Sequence, residues 1–389
     1  YEGDGVMSWE KVRLGDIAEF SNGINFGKDD YGKGIKIIGV SNFGDKFSPE
    51  YDSLTEVKEE VVKSNDYLYP GDIVFVRSNG NKELVGRCML IDNKADKVTY
   101  SGFCIRARLK DTTKHNPTFW TYHFKNQSFR KAMAGTAVGA NIQNLSQGRL
   151  ADYVTTVPDY DSQVRIAKWL SVYDNLIENN KKQIKLLEEA AERLYREWFV
   201  DFHFPGYEDA KIVDGVPDGW KKVGLSNIAP IITGKKDANF GIKDGNYLFF
   251  TCSQEPIKAP SYSFDCDAVI LAGNGDFNVK LYRGKFEAYQ RTYVFSPFDS
   301  DDLYLLYYAV IDSMRQLFQG ASGSTIKFLT KRMLEEIQVY VPEEDIKYKF
   351  NTIIEEYQLK IELLKKQKEL AKESRDRLLP KLMSGEMEV

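Results

Sequence analysis

At 389 residues with 42% apolar content, the chain is long enough for two or three domains with real hydrophobic cores. A net charge of -4 and a pI near 5.7 count against a uniformly basic nucleic-acid binder, but acidic residues crowd into a few stretches (Glu188-Glu189, Glu192, Glu355-Glu356) and leave room for a basic face elsewhere. The longest apolar runs, such as 73–76 and 268–272, are too short to span a membrane, and Cys88, Cys104, Cys252 and Cys266 follow no paired spacing, so they read as buried thiols of a cytoplasmic protein rather than disulfides or zinc ligands.

Residues 1–6 have neither a basic start nor an apolar core; no signal peptide is predicted, and Met7 is read as the initiator. Residues 9–26 open a first globular segment with a short strand or helix and a turn, Ser21-Asn22-Gly23. Strand-like runs follow at 35–40, 73–77, 88–91 and 103–109, punctuated by Gly and Asn. Residues 116–133 read as a helix with Phe119, Tyr122, Phe129 and Met133 available to one face. A polar, small-residue loop (135–143), a short helix (145–153) and an extended stretch (154–158) come next. The stretch 163–199 has no Gly and no Pro. Steps of four and three through it meet Ile166, Leu170, Tyr173, Ile177, Asn180, Ile184, Leu187, Ala191, Leu194 and Trp198. That apolar stripe predicts a long helix in a coiled coil, roughly 55 Å at about 1.5 Å per residue. The single polar member, Asn180, either sets register or faces Lys368 or water; the first reading is preferred.

Residues 201–219, with Pro205-Gly206 and Pro217-Asp218-Gly219, read as an exposed linker. The second globular segment repeats the plan more briefly, with strands at 247–252, 268–272 and 287–295, a helix over 301–318 and a Gly/Ser loop at 320–325. Both segments read as mixed α/β.

The plan is a repeat with two offsets. Gly139/Gly323, Ile142/Ile326, Leu145/Leu329, Leu150/Leu334, Val157/Val341 and Pro158/Pro342 coincide at a shift of 184 residues, and the register continues through Tyr173/Tyr357, Ile177/Ile361 and Leu194/Leu378. The second stripe is Phe350, Ile354, Tyr357, Ile361, Leu364, Lys368, Ala371, Arg375, Leu378 and Leu382; it is poorer, because Lys368 and Arg375 sit where apolar residues are wanted. The openings Trp9–Ala18 and Trp220–Ala229 coincide at a shift of 211, so the first globular segment is longer by 27 residues. Two tandem half-units of this kind give one chain a pseudo-two-fold and let its two long helices pack together, antiparallel or parallel. A connector as short as 201–220 favours antiparallel, since it would have to be nearly fully extended to carry the chain back along the first helix. The resulting boundaries are 7–158 and 220–342 for the globular segments, 159–200 and 343–386 for the helices, and 201–219 for the linker.

One further feature is shared. Gly71-Asp72-Ile-Val-Phe-Val-Arg-Ser-Asn79-Gly80 and Cys266-Asp267-Ala-Val-Ile-Leu-Ala-Gly-Asn274-Gly275 are both buried strands ending in an Asn-Gly turn, and their continuations differ. A held scaffold with changing polar tips suits two readers of different sequences. Arg and Lys match guanine, Asn and Gln match adenine. The candidate DNA-binding residues of the first segment are Asn22, Asn25, Lys28, Arg77, Ser78, Asn79, Asn81, Lys82, Asn141, Gln143 and Asn144. Those of the second are Lys235, Lys236, Asn239, Asn274, Asn278, Lys280, Tyr282, Arg283, Gln290, Arg291, Ser324, Thr325 and Lys327. Each taken alone is also an ordinary solvated loop residue or turn-former, and most contacts to DNA hold phosphates rather than bases.

This arrangement resembles the specificity (S) subunit of type I restriction–modification enzymes. The residues that carry the resemblance are the Trp9 and Trp220 openings, Pro158 and Pro342 before the long helices, Leu194-Tyr-Arg-Glu-Trp-Phe-Val-Asp-Phe202 with Pro205-Gly206, and the closing Arg377-Leu-Leu-Pro-Lys-Leu-Met-Ser-Gly385. The resemblance implies two target recognition domains, each reading one half of a split site in double-stranded DNA, and an antiparallel coiled coil that fixes the gap. It also implies docking of two methyltransferase subunits and of restriction (motor) subunits, with no catalysis and no cofactor in this subunit. The family commonly carries a Glu-Gln pair soon after the proline; here Ser162 precedes Gln163, and Lys347 replaces the Gln of the second copy.

The sequence itself supplies little chemistry. An N6-adenine methyltransferase needs a Pro-Pro loop, and the chain has no Pro-Pro. The nearest run to a phosphate-binding loop, Gly39 to Lys46, has Asp45 where Lys belongs. Glu50, Glu56 and Lys58 form the one imaginable metal-dependent nuclease constellation, a triplet common by chance. His115, His123 and His203 lack metal-ligand spacing and read as satisfied structural histidines. The competing function from another class is a coiled-coil protein-interaction scaffold without DNA readout, which the acidic pI favours and the Asn/Gly-tipped strands do not.

Overall fold

The computed structural model describes residues 8–79, 81, 83–92, 97–134, 144–275, 277–321 and 327–389. The chain divides into two units: Tyr1–Asn180 with Gln367–Val389, and Lys181–Lys366.

Unit 1 opens on β1 (Trp9–Arg13), the one-turn helix α1 (Leu14–Ile17) and β2 (Ala18–Asn22). It continues with β3 (Tyr31–Ile38), β4 (Thr55–Val57), β5 (Ile73–Val76), β6 (Cys88–Leu90), β7 (Val98–Tyr100) and β8 (Cys104–Leu109). Helices α2 (Pro117–Lys125), α3 (Gln127–Ala134) and α4 (Gln147–Ala151) follow, then β9 (Val154–Pro158) and the start of the long α5 (Tyr160–Tyr195). The strands form an antiparallel sheet in the order β2-β8-β5-β6 and a mixed sheet in the order β4-β3-β7. Every side chain of β5 is buried. Its alternation sends Ile73 and Phe75 into one apolar cluster with Phe119, Trp120 and Phe124 of α2, and Val74 and Val76 into another with Met89, Val98 and Tyr100. Burying each large aromatic side chain is worth roughly 1.5–3 kcal/mol.

The predicted helix over 116–133 is two helices. Asn116 caps the first, its Oδ1 accepting from the Phe119 N–H (2.9 Å), with Pro117 at the first helical position. Asn126 then takes extended backbone while its N–H closes on the carbonyls of Tyr122 and His123, which ends the helix. The predicted loop over 135–143 lies outside the described residues.

Unit 2 holds the end of α5, which finishes in a π-helical turn, Arg196–Val200. It continues with β10 (Ile212–Val213), β11 (Val216–Pro217), β12 (Lys221–Gly224), β13 (Ile232–Thr233), β14 (Tyr247–Phe250), β15 (Ile257–Ala259), β16 (Phe264–Ala272), β17 (Val279–Ala288) and β18 (Thr292–Phe295). Then come α6 (Leu303–Gly320), α7 (Lys331–Glu335), β19 (Gln338–Val341) and α8 (Glu344–Ser384), whose last part belongs to unit 1. Six strands form one sheet in the order β13-β18-β16-β17-β14-β15. The apolar core joins Leu303, Leu305, Leu306 and Val310 of α6 to Tyr195, Phe199, Phe350 and Ile354 of the long helices. The predicted strand over 287–295 is the end of β17, a turn and β18, because the Thr292 N–H closes on the Tyr289 carbonyl (2.8 Å). The predicted linker is largely exposed, as expected, although Phe204 is buried with its ring 4.7 Å from that of Trp220. Of the four free thiols, Cys88 and Cys104 are buried, whereas Cys252 and Cys266 are half-exposed rather than buried as predicted.

The two sequence offsets meet in the strand pairings. In unit 1, β1 runs antiparallel to β9 with Trp9 opposite Pro158; in unit 2, β12 runs antiparallel to β19 with Lys221 opposite Val341. The opening motif and the pre-helix motif are thus the two halves of one ladder, and the variable part of each segment is inserted between them. The short helices after the insertions also match: Ser146 Oγ accepts from the Arg149 N–H (3.1 Å), and Thr330 Oγ1 from the Met333 N–H (3.4 Å).

Inside each unit the long helices run antiparallel. In unit 1, Arg375 pairs with Asp174 (2.6 Å) and Asn180 Nδ2 donates to Gln367 Oε1 (3.4 Å). Asn180 is buried, and its partner is Gln367 rather than Lys368. In unit 2, Ile184 and Leu187 pack with Ile361 and Leu364. Among the described residues no helix is long and apolar enough to cross a membrane.

Candidate nucleic-acid interface

Four backbone segments converge at the tip of β5 in unit 1. Gly23 passes so close to the β7–β8 turn that a Cβ there would stand 2.1 Å from the Tyr100 carbonyl. The Arg77 N–H donates to the Phe103 carbonyl (2.8 Å), the Leu145 N–H donates to the Arg77 carbonyl (2.9 Å), and Ser78 forms a bridge with Asn144. Residues 22–25, 77–79, 101–103 and 144–147 therefore form one patch.

Unit 2 repeats this on its own residues. A Cβ on Gly234 would stand 1.9 Å from the Ala288 carbonyl. The Gly273 N–H donates to the Arg291 carbonyl (2.9 Å), the Leu329 N–H donates to the Gly273 carbonyl (2.8 Å), and Asn274 forms a bridge with Phe328. Gly23 and Gly234 are related by the offset of 211 residues. No side chain fits at either place, which fixes the loop beside the strand tip in both units.

In unit 1 the patch exposes Asn22, Asn25 and Asn144, with Lys28 on the same loop as Asn25. Arg77 is half-buried, one guanidinium nitrogen donating to the Gly102 carbonyl (3.2 Å). Asn79 and Asn81 act first as turn-formers: Asn79 Oδ1 accepts from the Asn81 N–H (2.7 Å) and Asn81 Oδ1 from the Glu83 N–H (3.0 Å). In unit 2, Lys235, Asn239, Gln290 and Arg291 are exposed. Lys236 lies over the Phe240 ring (4.4 Å), and Lys327 over the Phe318 ring (4.0 Å). Asn278 Nδ2 donates to the Cys252 carbonyl (3.2 Å), and Lys280 Nζ to the Ser253 carbonyl (2.9 Å) and to Asn278. Lys82, Asn141, Gln143, Ser324 and Thr325 lie outside the described residues.

Two expected readers make contacts within unit 2. Tyr282 packs its ring on Phe250 (5.1 Å) and Phe286 (5.6 Å). Arg283 makes a two-pronged pair with Glu355 (3.1 Å for each bond) and donates to the Tyr304 hydroxyl (2.9 Å), tying β17 to α8. The Arg283 guanidinium holds the Glu355 carboxyl below its ordinary range.

The residue types chosen for hydrogen bonding passed over the aromatics of the patches. Phe103 is 63% exposed at the β7–β8 turn, and Phe318 and Phe328 are 52% and 42% exposed in unit 2. The signal was present in Ser101-Gly102-Phe103, an aromatic side chain in a turn. Gln147 was also passed over; with its amide oriented to suit its neighbours it donates to the Phe20 carbonyl (3.0 Å) and accepts from the Asn22 N–H (3.2 Å).

Both carboxylates of the imagined nuclease triplet have other work. Glu50 pairs with Lys46 (2.9 Å) and Glu56 accepts from the Gly34 N–H (2.8 Å). Among the described residues no three metal-ligating side chains cluster. His115 and His123 are buried with Nδ1 lacking a partner, so they are not fully satisfied, and burial pushes His123 down to about 4. His203 faces Glu197 (3.1 Å).

The family model described as "Type I restriction modification DNA specificity domain" matches residues 7–189 and 217–373. The chain belongs to this family. It is 35% identical over 176 residues to the type I restriction enzyme EcoDI specificity subunit of Escherichia coli, a stretch covering 44% of this chain and 39% of that protein. Against the putative type I restriction enzyme MjaX specificity subunit of Methanocaldococcus jannaschii, identity is 24% over 414 residues, covering 98% of this chain and 94% of the other. The crystal structure of the type I restriction-modification system S subunit from M. genitalium matches with a TM-score of 0.60 at 17% identity, over 98% of each chain. At that identity the likeness is one of fold.

Within this specificity family, the departures at Ser162-Gln163 and Lys347 concern internal contacts. Gln163 is 1% exposed; its Oε1 accepts from the Asn116 N–H (3.0 Å) at the start of α2, and its Nε2 donates to the Pro158 carbonyl (2.9 Å). Lys347 is 3% exposed and bonds Asp302 (3.1 Å) and Asp299 (3.4 Å) at the start of α6. Both residues tie the globular segment to its long helix. Burial alone would lower the Lys347 ammonium, but Glu344 and Asp302 outweigh it and raise it. A docking surface cannot be built from side chains so enclosed, so the missing second Gln says nothing against a partner there.

Proposed function

We propose that this chain is the DNA sequence-specificity subunit of a type I restriction–modification complex. Each globular segment reads one half of a bipartite site in double-stranded DNA, and the paired long helices act as a coiled-coil spacer that sets the gap. The observation that carries this reading is the repeated patch, four segments brought to one buried strand tip twice over on framework glycines, with Asn, Gln, Lys and Arg differing between copies. Such a patch offers bidentate donors and acceptors for base edges and cations for phosphates.

Two methyltransferase subunits and the restriction subunits dock on the helical parts. Trp169, Val172 and Leu176 support this: they lie on one face of α5 and are 56%, 60% and 40% exposed, an apolar stripe outside the helix pairing. Cleavage and N6-adenine methylation belong to those partners, and this subunit works in the cytoplasm without a cofactor. Methylation sequencing of DNA from cells expressing the chain with its partners tests the proposal. A split motif with two defined halves is expected, and methylation of a single continuous motif or of none overturns it. For the scaffold alternative, duplex DNA would give no sequence-dependent, salt-sensitive shift in the presence of the methyltransferase subunit.

A further inference from the structure

Unit 1 contains a second polar site. A cavity of about 360 Å³ opens among the turn at Gly44-Asp45, the loop end of the β5–β6 hairpin, the start of α3 and the last turns of α8. Five cations line it, Arg87, Lys125, Arg130, Lys372 and Arg375, against the carboxylates of Asp45 and Asp376. Three of the five have a local carboxylate partner: Lys372 and Arg87 share Asp45 (3.0 Å and 3.6 Å), and Arg375 faces Asp174 (2.6 Å) and Asp376 (2.8 Å).

Lys125 and Arg130 are different. Lys125 Nζ donates to the Lys46 carbonyl (2.7 Å) and Arg130 Nη2 to the Glu83 carbonyl (2.6 Å). Among the described residues no carboxylate lies within ion-pair distance of either. Arg87 Nε donates to the same Glu83 carbonyl (3.3 Å), so two guanidinium groups meet on one neutral oxygen. Burial lowers both Lys125 and Arg130, and the charge of Arg87 lowers Arg130 further. Like charges are held together in a partly desolvated place with too little counter-charge, a costly arrangement unless an anion completes it. Asn126 and Gln127, at the start of α3, also line the cavity, and a helix start favours negative charge.

We propose that this cavity is a phosphate-binding site, in which Lys125, Arg130 and Arg87 hold a phosphate group beside the start of α3. The phosphate comes either from a free phosphorylated anion or from the backbone of DNA, and the chemistry of recognition is the same. Because the end of α8 forms one wall, an anion there ties that helix to the α2–α3 region.

The test uses the full chain with inorganic phosphate as the probe, followed by ³¹P line broadening and titration calorimetry in a chloride buffer. Saturable binding of one phosphate per chain is expected. Arg130→Gln and Lys125→Gln should each weaken it at least about tenfold, the effect of losing one charge-assisted hydrogen bond. Arg87→Gln serves as the second variant, and circular dichroism reports whether each protein is folded. If the variants lose phosphate but keep their affinity for duplex DNA, the source is a free anion. If they weaken DNA binding equally for all sequences and reduce the salt slope by about 0.9 per lost contact, it is the DNA backbone. Folded variants that match the wild type in both assays, or a wild type that binds no phosphate and gives DNA binding insensitive to these substitutions, overturn the site.

Discussion

Arg375 occupies a core position of the second apolar stripe, where the sequence alone wants an apolar residue. The structure gives the opposite expectation for Arg375→Leu. The Arg375 and Asp174 side chains are only 14% and 12% exposed, and their closest atoms are 2.6 Å apart. Removing one partner of such a pair costs about 3–5 kcal/mol, because the other charge is left buried. Three effects reduce the loss. A buried Leu returns about 1.5–3 kcal/mol, the Tyr122 hydroxyl still donates to Asp174, and the contact to Asp376 is half-exposed and contributes little. The net destabilisation should be about 2 kcal/mol, or about 4–8 °C in the melting of a unit of some 200 residues. Calorimetric unfolding of the full chain measures it, with the transition of unit 1 followed separately because two units need not melt as one. The double variant Asp174→Asn/Arg375→Leu should recover most of the loss, since Asn still accepts from Tyr122 and no charge is left alone. An Arg375→Leu protein as stable as the wild type, or more so, would refute the reasoning and restore the view of Arg375 as a flaw in the stripe.

Gly234→Ala should destabilise unit 2 by about 1–3 kcal/mol through overpacking, because its Cβ meets the Ala288 carbonyl rather than a movable side chain; methylation assays should show the loss confined to one half-site. Lys347→Gln restores the family's residue but leaves Asp302 buried without its cation, so the variant should melt lower than the wild type by thermal denaturation, with no gain in methyltransferase binding. His123 has its folded pKa pushed to about 4, below an unfolded value near 6.5. The unfolded chain therefore takes up a proton first as pH falls, and the contribution of neutral His123, full above about 6.5, is lost toward 4 at up to about 1.4 kcal/mol per pH unit. Urea unfolding of His123→Phe beside the wild type should show a flatter stability curve across that window.

Much of the framework was legible because it rests on patterns that physics makes repetitive. The apolar stripe of α5 and the buried alternation of β5 follow from helix and strand periods. The two offsets mark a ladder that each unit must close. What was missed depends on tertiary pairing. Arg375 looked wrong because Asp174 lies some 200 residues away in sequence. The pairing of Arg283 with Glu355 on a distant helix could not be seen from β17. The turn splitting β17 from β18 sits in Ala288-Tyr-Gln-Arg-Thr292, which carries no Gly, Pro or Asn to announce it. Asn79 and Asn81 were chosen for hydrogen-bonding capacity, and their oxygens are taken by the turn they form. Phe103 was overlooked for the converse reason: aromatic residues are assumed to be buried, although Ser101-Gly102 before it signals the turn that holds it outside.

The central claim is that two independent readers are spaced by the helix pair, and a heptad insertion tests it most directly. Seven residues are added after Leu187 in α5 and seven at the level of Ile361 in α8, where the two helices pack in one cluster. The apolar stripe keeps its phase, and the readers separate by about 10 Å, equivalent to roughly three base pairs at about 3.4 Å each. Methylation sequencing of cells expressing this variant with its partners should return the same two half-sites as the wild type with a gap wider by about three base pairs. An unchanged gap, or altered half-site sequences at the old gap, would contradict the account.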